Sequence, residues 1–303
     1  MIDACTLFET IADIVWDELG DRHDYLLPLD ERGITDTIVY WIVKHNTSYS
    51  GSRMIVRKAV REWEEGNDID LYLLLPTGVY ARFALQAKVL SPPTSNPIPS
   101  TGPAPAIHSK RYHGIEKPRG KRGYQWNMLT KWEKANSKKP GVFRAYYLLY
   151  NGFSYNQFSS CGLHKTALSS PHYGCSLVRP LVVEKLTRSK RPKKGRKHAR
   201  KAPTYEAFHT LAKPLAKPWH SLVCDSKMLS KYKAKLYTYA EIMNDKNFLT
   251  IQQQQQASTQ AKERGVDIPA LSDEDVEPGS IPGFGPNYQI IIDLEHNQNG
   301  VVC

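Results

Sequence analysis

Apolar residues recur every three to four positions in two segments near the start of the chain. The first segment covers residues 7–19 and the second covers residues 34–43. A period close to 3.6 residues places apolar side chains on one face of an α-helix. The spacing therefore predicts two amphipathic helices, whose apolar positions are Leu7, Ile11, Ile14, Val15, Leu19, Ile34, Ile38, Val39, Trp41 and Ile42.

After residue 52 the apolar pattern changes from the helical period to that of extended chain. Residues 52–63 indicate an extended run, and residues 68–75 and 80–90 each alternate apolar positions with polar ones. Alternation with period two is typical of β-strands, and Pro76-Thr77-Gly78 is a turn signal between the last two segments. The sequence predicts three strands in an antiparallel meander.

Three further segments complete the predicted core. Residues 124–135 have helical spacing, residues 142–150 form a nearly continuous apolar strand typical of one buried on both faces, and residues 288–294 predict a late strand. Together these elements predict an α/β fold with a mixed, mainly antiparallel sheet flanked by helices.

Composition divides the chain into four parts. Residues 1–150 form the core, and six prolines within residues 91–107 indicate a surface insertion in it. Residues 151–250 form an accessory region with a weaker pattern. Residues 251–287, rich in glutamine and then in acidic residues, predict a linker. Residues 288–303 form a C-terminal extension, whose strand we expect at the edge of the sheet.

The overall composition is that of a folded protein. The 303 residues are 41% hydrophobic and 23% charged, which excludes disordered, collagenous and coiled-coil classes. No apolar run reaches the length of about 18 residues that a membrane span needs, and the first residues lack an export signal. Five scattered cysteines do not form a disulfide framework. We therefore expect a cytoplasmic protein without a membrane partner.

Positive charge is concentrated in one segment. The chain has a net charge of +11, of which residues 184–201 supply +9. Such a segment repels itself, so we interpret residues 185–201 as an exposed loop able to neutralise phosphates. A solvating insertion or a localisation-like basic patch is the alternative interpretation. The candidate nucleic-acid-binding residues are Lys190, Arg191, Lys193, Lys194, Arg196 and Lys197.

The candidate chemistry lies on the predicted hairpin. A two-residue turn at Thr77-Gly78 places Asp68 opposite Ala87, and alternation puts Gln86 and Lys88 on one face. Carboxylate and amide oxygens suit Mg²⁺, and a nearby ammonium can stabilise the charge of a reacting phosphate. A cross-strand salt bridge between Asp68 and Lys88 is the alternative for these residues.

The order helix, Asp-bearing strand, Gln-x-Lys strand, helix and strand over residues 35–150 resembles the PD-(D/E)xK nuclease superfamily. This resemblance implies a restriction-endonuclease-like core in which Asp68 and Gln86 bind metal and Lys88 is catalytic. Gly66-Asn67-Asp68 resembles the Gly-x-Asp entry of many members, which favours Asp68 over Asp70 as the ligand.

The resemblance also implies a further acidic residue and a polar residue that lines the cleft. Glu64 is the first choice for the acid, with Glu31 or Glu62 in reserve, and Gln125 is the candidate cleft residue. The sequence departs from the family pattern because no proline precedes the aspartate and Gln86 stands where glutamate is usual. The second departure removes one negative charge from the site.

The function that the resemblance implies is metal-dependent hydrolysis of phosphodiester bonds. DNA is the favoured substrate with RNA as the alternative, and Mg²⁺ is the favoured ion with Mn²⁺ as the alternative. The family further suggests a bacterial defence or restriction-type effector, and leaves a homodimer open. One rival function is a non-catalytic nucleic-acid-binding protein with a degenerate nuclease fold. A second rival is a module whose basic loop binds an acidic protein.

Two Cys/His groups are candidates for further sites. Cys161, His164, His172 and Cys175 have a spacing that zinc can use, but the gap between the two pairs is short, and we do not expect a structural Zn²⁺ there. His220 and Cys224 form a weaker pair without the sequence context of a nucleophile, and we do not interpret them as a protease dyad.

Overall fold

The structure of the protein is a computed structural model. It describes residues 3–24, 31–48, 53–59, 67–90, 111–112, 114–117, 123–137, 143–153, 167–168, 170–187, 202–224, 237–250, 252–253, 256 and 287–293. The predicted insertion at residues 91–107 and nearly all of the predicted linker at residues 251–287 lie outside this part of the chain.

The described chain contains both helices and strands along its whole length. The helices are α1 (Ala4–Asp24), α2 (Glu31–Ser48), α3 (Gln125–Ser137), α4 (Pro180–Thr187), α5 (Tyr205–His209), α6 (Ser221–Cys224) and α7 (Tyr239–Met243). The strands are β1 (Arg53–Ala59), β2 (Ile69–Leu74), β3 (Tyr80–Val89), β4 (Phe143–Tyr150), β5 (Cys175–Val178), β6 (Lys217–Pro218), β7 (Phe248–Thr250) and β8 (Tyr288–Asp293).

The strands form one sheet in the order β6-β5-β4-β3-β2-β8-β1-β7. The pairs β2/β8 and β3/β4 are parallel, and the other neighbouring pairs are antiparallel. The predicted α/β fold with a mixed, mainly antiparallel sheet is therefore confirmed. Strands β5 to β8, which follow residue 150, belong to the same sheet as β1 to β4.

The position of β8 differs from the prediction. This strand lies inside the sheet between β2 and β1, so the expectation of an edge strand and of a β1-β2-β3 meander is wrong. Ile290, Ile291 and Ile292 are all buried, as expected of a strand covered on both faces. The apolar pattern identified a strand, but its neighbours are more than 200 residues away in sequence and leave no local signal.

The loop between β2 and β3 has three residues rather than the predicted two. Leu75 N donates to Val79 O at 2.7 Å, and Gly78 N donates to Leu75 O at 3.0 Å. Gly78 has a φ of 78°, the left-handed conformation that completes this type of hairpin loop. The extra residue shifts the strand pairing by one position, so that Ile69 lies opposite Leu85.

Two large hydrophobic clusters cover the two faces of the sheet. One cluster packs α1 and α2 on one face, and the other packs α3, α4 and α5 on the opposite face. Successive residues of β3 alternate between them, because Phe83 and Leu85 join the first cluster whereas Ala84 joins the second. The sheet is thus the middle layer between helices.

Helix α1 crosses the end of the sheet at two glycines. A Cβ atom on Gly174 would lie 1.9 Å from Ala12 O, and one on Gly152 would lie 2.3 Å from Trp16 O. Any larger residue at these positions would push α1 away from β4 and β5. This close approach sets the position of α1 relative to the sheet.

The N-terminal half of α1 contacts α6 and the residues that directly precede it. The indole of Trp219 donates to Phe8 O at 2.7 Å and stacks on the Phe8 ring with 4.2 Å between centroids. A disulfide joins Cys5 to Cys224, 219 residues apart. The scattered cysteines of the sequence did not predict this bond, because it depends on the packing of two distant helices.

No helix in the described ranges is both long enough and apolar enough to pass through a lipid bilayer.

Candidate active site

The site is built where β2 begins and β3 continues past it. Ile69 is the first residue of β2 and pairs with Leu85, whereas β3 continues to Val89. Asp68 precedes β2, and its backbone N–H donates to Leu85 O at 2.9 Å. The carboxylate of Asp68 therefore lies beside the last residues of β3, beyond the first residue of β2.

Asp68 contacts two consecutive residues of β3. Its Oδ2 accepts hydrogen bonds from Gln86 Nε2 at 2.5 Å and from Ala87 N at 2.6 Å. The Asp68 carboxylate thus accepts the hydrogen bond that the Ala87 amide would otherwise donate to a carbonyl of a neighbouring strand. Hydrogen bonds to a carboxylate are stronger than those between neutral groups, so they hold the Asp68 and Gln86 side chains together.

Lys88 reaches a different carboxylate. Its side chain is 2% exposed and donates a hydrogen bond to Glu31 Oε2, at the first residue of α2. A buried ammonium is costly without an anionic partner, and Glu31 supplies one. Glu31 was only a reserve candidate from the sequence, whereas Glu64 and Glu62 lie outside the described residues.

A buried tyrosine lies within the electrostatic field of both carboxylates. Thr35 Oγ1 donates to Glu31 O at 2.8 Å and lies 2.9 Å from the Tyr150 hydroxyl. Burial raises the pKa of Tyr150 well above its usual value, and the charges of Asp68 and Glu31 raise this pKa further. Tyr150 therefore remains neutral.

One acceptor in the site has no hydrogen-bond partner among the described residues. Gln86 donates through Nε2, while its Oε1 is buried and without a partner. Most buried polar atoms in proteins form a hydrogen bond, so the expected partner of this buried acceptor is a cation or a water molecule. The oxygens of Asp68, Gln86 and Glu31 are the hard donors that Mg²⁺ prefers.

Asp70 forms hydrogen bonds with Arg82 and Asn67. Its Oδ2 accepts from Arg82 Nη2 at 2.5 Å and from Arg82 Nε at 2.9 Å, and its Oδ1 accepts from Asn67 Nδ2 at 2.7 Å. Asn67 also donates to Ile69 O at 2.9 Å, which holds the residues on both sides of Asp68. Asp70 is thus part of a buried ion pair that supports the Asp68 turn.

Gln125 is the first residue of α3 and is buried. Its Oε1 makes no hydrogen bond within the described ranges. The assignment of Gln125 to the cleft therefore stays a prediction.

The basic segment lies mostly outside the described residues. Lys185 belongs to the last turn of α4 rather than to a loop, and residues 188–201 are not described. Those undescribed residues contain the six candidate nucleic-acid-binding residues Lys190, Arg191, Lys193, Lys194, Arg196 and Lys197.

The candidate zinc residues from the sequence are partly described. Cys175 lies in the apolar core, where burial raises the pKa of its thiol well above the usual value. His172 Nδ1 lies 3.4 Å from Asp13 Oδ1. Cys161 and His164 lie outside the described residues.

Comparison with known proteins identifies the family of the chain. No curated protein and no solved structure matches the sequence. Residues 4–284 match a family described as a family of unknown function, DUF6615, and this range covers most of the chain. The protein therefore belongs to the DUF6615 family.

Proposed function

We propose that this protein is a metal-dependent nuclease with a restriction-endonuclease-like core. The observation that carries the proposal is a pair of contacts made by two residues near the end of β3. Asp68 accepts a hydrogen bond from Gln86, and Glu31 forms an ion pair with Lys88, two positions further along the same strand. Two carboxylates, an amide oxygen and a buried amine near one strand end are groups that metal-assisted phosphodiester hydrolysis can use.

In this proposal Asp68 and Gln86 are the metal ligands, through a carboxylate oxygen and through Oε1. Glu31 is the second carboxylate of the site. Mg²⁺ is the favoured ion, with Mn²⁺ as the alternative; either would polarise a phosphoryl oxygen and activate a water molecule. The orphaned, buried Oε1 of Gln86 supports this assignment because it is an acceptor in need of a positive partner.

Lys88 supplies the positive charge. The ammonium of Lys88 is buried and kept in place by Glu31. A fixed ammonium in a site of low dielectric stabilises the negative charge that accumulates on a phosphate during hydrolysis. The role of Glu31 is then to position Lys88.

The substrate class follows from charge. Residues 188–201 begin directly after α4 and contain most of the net positive charge of the chain. Backbone phosphates are the partners that such a segment binds without reading sequence. DNA is the favoured substrate and RNA the alternative, and a role as a bacterial defence or restriction-type effector is part of the same proposal.

A second candidate function is nucleic-acid binding without cleavage. The presence of Gln86 instead of an acidic residue favours it, because the site then has two carboxylates and one ammonium. A smaller negative charge weakens the attraction for a divalent ion. A protein with this second function would have the same fold and the same basic segment but would bind no metal ion.

The test is a digestion assay with the full chain. We expect plasmid DNA to be cut with Mg²⁺ or Mn²⁺ and to stay intact with a chelator, with a structured RNA as the second substrate. Lys88→Met and Asp68→Asn should abolish cutting, and Lys58→Ala on β1 should not, since it removes a strand lysine outside the site. All variants are purified identically.

Two results would decide against the proposal. Cutting that Lys88→Met or the chelator leaves unchanged would point to a contaminating enzyme. Binding of DNA without cutting under any metal would favour the non-catalytic rival.

A further inference from the structure

A second cluster of metal-binding side chains lies between α1 and the segment that leads into α6. Cys5 and Glu9 are four residues apart on α1, so they share one face of that helix. His220 and Cys224 are also four residues apart, and Cys224 N donates to His220 O at 2.9 Å as in a helical turn. Two i, i+4 pairs therefore face each other.

The distances within this cluster are close to those around a zinc ion. The Sγ atoms of Cys5 and Cys224 and a carboxylate oxygen of Glu9 all lie within 4.8 Å of one another. His220 Nε2 lies 3.6 Å from Glu9 Oε1. In a tetrahedral zinc site, nitrogen and oxygen ligands are about 3.3–3.5 Å apart and two thiolates about 3.8 Å.

Only the sulfur atoms are too close for a metal, because they form a disulfide. We infer that reduction of the Cys5–Cys224 bond creates a zinc site made of both thiolates, Glu9 and His220. A dithiol reductant supplies two electrons and becomes a disulfide, while the bond between the two Sγ atoms breaks. Each cysteine then loses its proton when its thiolate binds Zn²⁺.

The surroundings of His220 support the assignment. Its Nδ1 is buried without a hydrogen-bond partner among the described residues. A metal-bound histidine commonly donates its second ring N–H to a carboxylate. Asp13 lies one turn after Glu9 on α1, beside His172 at 3.4 Å, and its charge also acts on His220, so it is a candidate for that role.

The location of the cluster allows a reductant to reach it. Cys224 is exposed, and Cys5 and Glu9 are half-buried. Both oxidation states join α1 to α6, one through a covalent bond and the other through the metal. The cluster would therefore exchange one cross-link for another without releasing α1 from the sheet.

The experiment uses the full chain, reduced with a dithiol and freed of it under nitrogen. Titration with Zn²⁺ against a competing chromophoric chelator should show one tightly bound ion in the reduced chain and none in the oxidised chain. Co²⁺ in place of Zn²⁺ should give thiolate charge-transfer absorption. Cys5→Ser and Cys224→Ser should abolish binding, and Glu9→Gln and His220→Gln should weaken it about tenfold or more.

Matched controls test the identity of the ligands. Cys175→Ala removes a core thiol, and Glu18→Gln removes a carboxylate of α1 that pairs with Arg22 instead. Both should bind Zn²⁺ like the unmodified chain. Cys161→Ser tests the other cysteine pair considered from the sequence, and it should also leave binding unchanged.

A measurement on the unmodified chain avoids dependence on the folding of the variants. Zn²⁺ should protect Cys5 and Cys224 of the reduced chain from alkylation, as read by mass spectrometry, and should slow the return of the disulfide. A reduced chain that binds no Zn²⁺ would overturn the inference. Zinc binding that survives removal of both cysteines, or that depends on Cys161, would overturn it as well.

Discussion

Lys88 donates a hydrogen bond to Glu31, 57 residues earlier in the chain. The contact joins the part of β3 that extends past β2 to the first residue of α2. Lys88 is among the largest fully buried side chains that the structure describes, and this carboxylate is the anionic partner of its ammonium. The pair is therefore both a part of the proposed active site and a structural contact, and its two roles can be separated by mutation.

Glu31→Ala should destabilise the fold by about 1–3 kcal/mol, because it leaves the buried ammonium of Lys88 without its anion. Lys88→Met retains the length of the side chain and removes the charge, so it should cost less. The double variant should be no less stable than Lys88→Met alone. Urea unfolding at constant pH measures all three free energies of unfolding. Costs that simply add in the double variant would show that the two side chains do not interact.

Gln86→Glu should make the stability of the protein dependent on Mg²⁺. Gln86 Nε2 lies 2.5 Å from Asp68 Oδ2, so a glutamate there brings two carboxylates together. We expect a lower melting temperature in chelator and its recovery, at least in part, with millimolar Mg²⁺. Thermal unfolding with and without the ion is the measurement, and it does not require activity.

The matched control for that variant is Gln289→Glu. Gln289 is also a buried strand glutamine, and its Nε2 donates to Asp245 Oδ2 at 3.4 Å, but its Oε1 accepts from Arg57 Nη1 at 2.9 Å, so a glutamate there keeps a cationic partner beside the second carboxylate. Its melting temperature should not respond to Mg²⁺. An equal response of both variants would mean that the ion acts on the protein as a whole rather than at Asp68.

Local sequence patterns predicted the elements of the fold but not their neighbours. The apolar spacing identified α1, α2, α3 and the strands β1 to β4 and β8, because each pattern is complete within its own segment. The insertion of β8 between β1 and β2 depends on burial of both its faces by distant segments. Strand order is a property of the whole chain, which no window of ten residues contains.

In the candidate site too, contacts within one hairpin were predictable from the sequence and contacts between distant segments were not. Asp68 and Gln86 belong to one hairpin, so their proximity follows from a turn and an alternation, even though the loop is one residue longer than predicted. Glu31 was only a reserve candidate after Glu64. Its contact with Lys88 depends on how α2 packs over β3, which local sequence does not indicate. The apolar spacing begins only at Ile34, and thus did not indicate that α2 starts at Glu31.

Neutralising the basic segment should weaken nucleic-acid binding in a salt-dependent way. For duplex DNA, each phosphate that the variant no longer neutralises should reduce the slope of log affinity against log salt by about 0.9. Fluorescence anisotropy of a labelled duplex between low and moderate salt measures the slope. The variant replaces six residues by glutamine: Lys190, Arg191, Lys193, Lys194, Arg196 and Lys197.

The comparison for that variant is Lys213→Gln with Lys217→Gln, which removes exposed positive charges from another part of the chain. It should change the slope far less per charge. An unchanged affinity and slope in the six-residue variant would remove the reason for assigning a nucleic acid as the partner, and would favour an acidic protein instead.

Protonation of His209 should limit stability at acid pH. His209 is buried beside Tyr205, whose carbonyl lies 3.0 Å from Nδ1, so Nδ1 carries the proton and Nε2 faces the Ser176 hydroxyl at 2.9 Å. Burial lowers the pKa of His209 to about 3. In the unfolded chain the pKa is about 6.5, so between these values the unfolded state binds more protons and stability falls as pH decreases.

The expected decrease in stability approaches 1.4 kcal/mol per pH unit below about pH 6, in addition to the contribution of the carboxylates. His209→Gln does not titrate in this range, and its amide can still donate to the Tyr205 carbonyl. Its stability should therefore change less with pH than that of the unmodified chain. Urea unfolding from pH 7 to pH 4 gives the slopes. Parallel slopes in the two proteins would show that His209 is protonated in the folded state or is not buried.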